Sequence, residues 1–151
     1  MAKTKKNEKS DQYSVKVNFH GAKKIVSADW IKNICFTIFN TEKTLIPGNL
    51  SIVLVSDEYI TTLNKEFLNK DRPTDVLAFP MNEEELWGEI YISVDRALEQ
   101  SEYYKVNVDK ELARLVIHGI LHLLGYNDQQ PDSKINMRKR EDFYLNKLDI
   151  R

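Results

Sequence analysis

One cysteine, five glycines, four prolines and three histidines are spread over 151 residues, and this scarcity excludes several kinds of protein. The single thiol, Cys35, permits no internal disulfide and suits a reducing cytoplasm, so no disulfide partner is expected. It lies in WIKNICFTIF among apolar residues at helical spacing, which reads as a small buried side chain rather than a nucleophile. So few glycines leave no glycine-rich loop to cradle a nucleotide phosphate. No serine or cysteine has a basic partner at a spacing that suggests covalent catalysis. No apolar run approaches the ~18 residues of a membrane span, and the first residues do not read as a secretory leader. A cytoplasmic chain with no membrane partner is the expectation, and no internal repeat is visible.

What is there is ordinary for a globular domain: 42% hydrophobic and 30% charged residues, long enough for one core. The net charge of −1 conceals an asymmetry, because residues 1–24 hold seven lysines against only Glu8 and Asp11. Residues 1–12 are expected to form a disordered, solubilising basic tail, and 13–151 a single domain. Charge alone does not announce a nucleic-acid-binding protein.

Periodicity predicts a mixed α/β domain. Tyr13, Val15, Val17 and Phe19 alternate with polar residues as in a half-buried strand. Ser27 is placed to cap a helix over 28–42, whose Trp30, Ile31, Ile34, Cys35 and Ile38 form one apolar stripe. Pro47-Gly48 precedes a strand at 50–56, and a helix near 57–66 follows. The polar stretch NKDRPTD leads into a strand at 76–80, and a glutamate-rich loop into another at 88–93. Ser93 is placed to cap a helix over 94–105, Asn107 or Asp109 to start the next, and a last helix is predicted over 132–147 after Pro131. Elements mixed in this way predict one sheet covered by helices, three of which close the C-terminal half.

The most informative segment is LVIHGILHLLGYND. His118 and His122 are four residues apart, so both imidazoles leave one face of a helix. The helix is predicted to stop at Gly125, and the turn beyond it can swing Asp128 back toward the same point. The competing reading is a pair of hydrogen-bonded core histidines. It is the weaker one, because this apolar stripe supplies few partners and each unpaired buried ring costs roughly 1–3 kcal/mol. His118, His122 and Asp128 are therefore predicted to hold a metal ion, with one zinc ion per chain as the default for imidazole and carboxylate ligands. Three protein ligands leave a position for water, the arrangement of a catalytic rather than a structural site. The HExxH pattern of metalloproteases has a glutamate general base after its first histidine, and here that position is Gly119.

Together with LNKEFLNKDRPTDVLAFP at 63–80 and GEIYIS at 88–93, this segment resembles the YbeY family over roughly residues 13–147. The HGxLHLxGY core and the PTDVLxFP beside it carry the likeness. The resemblance implies a four-stranded mixed sheet surrounded by about five helices, with a zinc site at the mouth of a cleft. It implies a single-strand-specific metallo-endoribonuclease acting in ribosomal RNA maturation and ribosome quality control, with single-stranded RNA and the ribosome as partners. Two metal ligands carry over onto His118 and His122. The chain departs from the family pattern twice: Asp128 stands where a third histidine is usual, and Leu68 where an arginine is common. Lys70 and Arg72 are then the nearest cations able to hold a phosphate.

Asp75 has two balanced readings, a turn residue or a group that orients a ligand histidine. Glu89 reads as a solvated strand-end charge, Glu111 as an exposed helix glutamate two turns before His118, and His20 as a loop residue. Two rivals stand beside the nuclease: a zinc metalloprotease-like hydrolase, and a ribosome assembly factor with a structural metal and little catalysis.

Overall fold

A computed structural model describes residues 14–43, 48–81 and 86–151; the basic tail expected over 1–12, the strand residue Tyr13 and the breaker Pro47 lie outside these. Four strands form one mixed sheet: β1 (Val15–His20), β2 (Asn49–Val55), β3 (Val76–Pro80) and β4 (Leu86–Ser93), in the order β1-β2-β4-β3. The pairs β1/β2 and β2/β4 are parallel, whereas β3 runs antiparallel to β4 at the sheet edge. Pro80, which has no N–H to donate, ends that edge strand, where it breaks no central ladder. His20 is the last residue of β1 rather than a loop residue, with its ring edge-on to Tyr59 at 4.5 Å.

Five helices surround the sheet: α1 (Ala28–Glu42), α2 (Asp57–Leu68), α3 (Val94–Tyr104), α4 (Val108–Leu123) and α5 (Pro131–Lys147). Serine caps start the first three. The Oγ atoms of Ser27, Ser56 and Ser93 accept from the N–H groups of Trp30, Tyr59 and Arg96 at 3.1, 3.2 and 3.1 Å. Pro131 opens α5, where its missing N–H is harmless.

The alternation of β2 divides the core between the two faces of the sheet. Leu50, Ile52 and Leu54 point toward α1 and α4, and there they join Ile34, Ile38, Val116 and Ile120 in the main core. Val53 points the other way, into a smaller cluster where Ile60 and Leu63 of α2 meet Leu77. Each fully buried leucine or isoleucine contributes roughly 1.5–3 kcal/mol, so the larger cluster dominates stability. Helix α4 is the pivot of the domain and touches α1, α3, α5, β3 and β4. Its close approach to the sheet requires Gly119, because a Cβ there would lie 2.9 Å from Cγ2 of the buried Ile90.

Candidate metal centre and adjoining cleft

Helix α4 keeps one face out of the core, and His118 and His122 lie on that side, half-buried and exposed respectively. Just past its end, Gly125 takes φ 104°, a left-handed conformation that favours glycine, while its N–H donates to the carbonyl of His122 at 3.1 Å. The Tyr126 N–H then reaches the carbonyl of Leu121 at 3.0 Å, and its hydroxyl donates to Glu42 of α1 at 2.7 Å. Pinned in this way, the turn carries Asp128 back over the helix, so that Asp128 Oδ2 stands 3.6 Å from His118 Nε2.

That separation is too long for a hydrogen bond and close to the edge of a tetrahedral coordination shell. Two ligand atoms each about 2.1 Å from the ion stand roughly 3.4 Å apart. The other ring nitrogen of His118 is already committed. Its Nδ1 lies 2.8 Å from Glu141 Oε2 on α5, and an ionised carboxylate can only accept, so Nδ1 carries the proton and Nε2 keeps a lone pair toward Asp128. A carboxylate behind an imidazole in this manner orients the ring and raises its basicity, as in second-layer partners of zinc histidines. The hydrogen bond His118 donates to Glu141 holds the His118 pKa above its ordinary value against the opposing effect of burial.

Glu141 is itself supported. Arg114 Nη1 donates to its Oε1 at 3.0 Å, and Arg114 Nη2 reaches Asp142 at 2.8 Å. His118, Glu141, Arg114 and Asp142 thus form a chain linking α4 to α5. Asp75 approaches the same place from the loop before β3. Its Oδ1 accepts from the Val76 N–H at 2.8 Å and its Oδ2 from Gln100 Nε2 of α3 at 3.2 Å. Asp75 thus shapes the strand entry and lines the cleft, but its carboxylate bonds Val76 and Gln100 rather than either histidine.

The structure brings His118, Asp128 and Asp75 to one cleft of about 310 Å³. His122 lies one turn further along α4, and among the described residues no three His, Cys, Asp or Glu side chains form a ready ligand set. Lys70 and Arg72 are exposed on the loop after α2 and do not line this cleft. Buried Asn64 holds that loop, its Nδ2 donating to the carbonyl of Arg72 at 2.9 Å. Leu68, at the C-terminal end of α2, is exposed beside Phe67. Glu89 accepts from the Tyr91 hydroxyl at 2.9 Å. Burial, then this bond, push the Tyr91 pKa up to about 12.

Glu111 departs from its expected exposure. It is buried, at 6% exposed, and faces the cleft. Sequence reasoning also missed Glu141, for which one signal existed. Glu141 is four residues after Met137 and four before Leu145, a charged residue on the apolar stripe of its helix.

A family model described as Endoribonuclease YbeY matches residues 12–149. The chain belongs to the endoribonuclease YbeY family. Among curated members, Endoribonuclease YbeY of Clostridium botulinum (strain Alaska E43) is 38% identical over 134 residues, covering 73% of this chain and 81% of the relative. Its counterpart in Flavobacterium psychrophilum is 30% identical, covering 86% and 90% respectively. The solution structure of TM1509 from Thermotoga maritima superposes with a TM-score of 0.62 at 29% identity, covering 89% of this chain and 91% of that one. The family is one of endoribonucleases, enzymes that break phosphodiester bonds inside an RNA chain. The expected family, the mixed four-stranded fold and the nuclease class therefore stand.

Proposed function

We propose that this chain is a cytoplasmic, metal-dependent endoribonuclease that acts on single-stranded RNA, ribosomal RNA in particular, during ribosome maturation and quality control. The observation that carries the reading is the fixed orientation of His118. Glu141 holds its Nδ1 proton, and its free Nε2 faces Asp128 across a gap of 3.6 Å. His118, His122 and Asp128 are the residues that would hold a divalent cation, and two imidazoles with one carboxylate suit zinc. A cation held there supplies Lewis acidity toward a phosphate oxygen and acidifies a bound water.

The protein's own groups perform the rest. Glu141 keeps the His118 ring in one tautomer, and the Arg114 guanidinium holds Glu141 in place. Asp75, tied to Gln100, adds negative charge beside His118 and favours a cation over an empty site. Lys70 and Arg72, outside the cleft, are read as contacts for the RNA backbone as it leaves. We read residues 13–151 as one catalytic unit, preceded by a basic, solubilising tail over 1–12.

The protease alternative is disfavoured by the surroundings of Gly119. The position that would carry the general base is pressed against Ile90 of the sheet and has no room for a glutamate. Elemental analysis of the purified protein and of His122→Ala, with cleavage of an unstructured RNA measured on both, tests the proposal. One equivalent of metal in the wild type, lost together with cleavage in the variant, is the expected result. RNA cleavage that persists in a metal-free variant sinks it. Retained metal without cleavage in the wild type favours the assembly-factor alternative.

A further inference from the structure

Glu111 is a buried carboxylate with no hydrogen bond or ion pair to its side chain among the described residues, and it faces the cleft. Its carboxylate oxygens open onto the cleft rather than into the core, so they stand where donors from a ligand can reach them. Its place in the first turn of α4 is favourable for a negative charge but gives it no partner. Tyr104, at the end of α3, borders the same space and is 60% exposed. Arg138 of α5 closes the third side, its guanidinium free of ion pairs among the described residues. Tyr104, Glu111 and Arg138 also line an adjoining recess of about 230 Å³, so the cleft extends past them away from His118.

Aromatic face, acceptor and cation are the three elements by which proteins hold an unpaired nucleotide: stacking on the base, reading of its edge, and neutralisation of its phosphate. Seven residues separate Glu111 from His118, two helical turns or roughly 10 Å. That offset puts the three residues beside the nucleotide next to the one at His118. The acceptor-only character of Glu111 also discriminates among bases. Guanine presents two adjacent donors, N1–H and N2–H, that match the two oxygens of one carboxylate. Adenine and cytosine set a ring acceptor beside their amino group, and uracil offers one N–H between two carbonyls. Burial raises the Glu111 pKa, and the Arg114 and Arg138 charges oppose that rise without cancelling it.

We propose that Tyr104, Glu111 and Arg138 form a base-recognition subsite that selects guanine in the nucleotide adjoining the phosphate at His118 and Asp128. This rests on the endoribonuclease reading above. Calorimetric titration of the full, zinc-loaded chain with GMP, AMP, CMP and UMP tests it, since none of these has an internal phosphodiester to cleave. GMP is expected to bind about tenfold more tightly than the others. Glu111→Gln, which replaces one acceptor oxygen with a donor, brings GMP down to the affinity of AMP and leaves UMP unchanged. Tyr104→Ala weakens all four by about tenfold. Equal binding of the four nucleotides, or a guanine preference that survives Glu111→Gln in a variant that melts like the wild type, overturns the proposal. Mapping cleavage ends on an unstructured RNA with the wild type alone gives an independent reading. Excess guanine beside the cut supports the subsite, and cuts without bias remove it while leaving the nuclease intact. A guanine preference in binding with no RNA cleaved leaves the subsite standing and removes the nuclease.

Discussion

The Glu141 carboxylate lies 2.8 Å from His118 Nδ1 across 23 residues of sequence, joining the helix that carries both histidines to the last helix of the domain. This bond sets which nitrogen of the ring is free. It also makes α5 part of the site, although no residue of α5 is a proposed ligand.

Glu141→Ala is expected to act on both metal affinity and stability. Without its carboxylate partner the ring loses a fixed tautomer, and metal affinity falls by about 10–100-fold. The variant also leaves Arg114 in a mostly buried position with only Asp142 as partner, a loss of about 3 kcal/mol or more. Chelator competition measures the first effect and urea denaturation of the metal-free protein the second. Unchanged metal affinity would show that the ring needs no such support.

Replacing Asp128 separates its proposed role as a metal ligand from the turn that presents it. Asp128→His restores the histidine usual in the family, and the variant is expected to bind zinc at least as tightly as the wild type. Asp128→Ala is expected to bind it far more weakly at the same folding stability. Equal zinc affinity in wild type and Asp128→Ala would remove Asp128 from the ligand set.

Glu42 predicts an acid-limb stability term. Burial pushes its carboxyl up, but hydrogen bonds from the Tyr144 hydroxyl, Arg140 and Tyr126 outweigh this, and the net shift is downward from 4.5. A group with a depressed folded pKa adds stability that is fully present above its unfolded value and is lost as pH falls through its folded value. Stability of wild type and Glu42→Gln, measured by denaturation from pH 7 downward, is expected to differ most above 4.5. The two curves should approach each other below it. A constant gap at all pH values would assign the effect to packing instead of charge.

Gly119→Ala tests the close packing of α4 on the sheet. Alanine is the better helix former by about 1 kcal/mol, yet its methyl meets two Ile90 carbons at 2.9 and 3.1 Å. A net destabilisation of about 1–3 kcal/mol is expected. Adding Ile90→Ala should recover part of it, so that the double variant is more stable than the sum of the single effects predicts. Strict additivity would place the cost elsewhere.

Much of this was legible beforehand because it is local. Helix and strand periods in the chain marked every element to within a few residues. Ser27 and Ser93 occupy the expected cap positions, which need only the next turn of backbone, whereas Ser56, expected to end a strand, caps α2 instead. The paired imidazoles followed from an i, i+4 spacing on one helix. The burial of Glu111 did not, because its period on α4 is compatible with either an exposed or a cleft-facing side chain. What covers it comes from α3 and α5.

The sequence by itself determined the mixed α/β elements and the histidine pair with its glycine turn, since each depends on neighbours within about two helical turns. Only the tertiary structure decided that Asp128 folds back to His118, that Glu141 and Arg114 stand behind the ring, and that Tyr104 and Arg138 enclose Glu111. Those relationships arise where α3, α4 and α5 cross, and a crossing is set by how whole cores pack, which no single stretch of residues specifies.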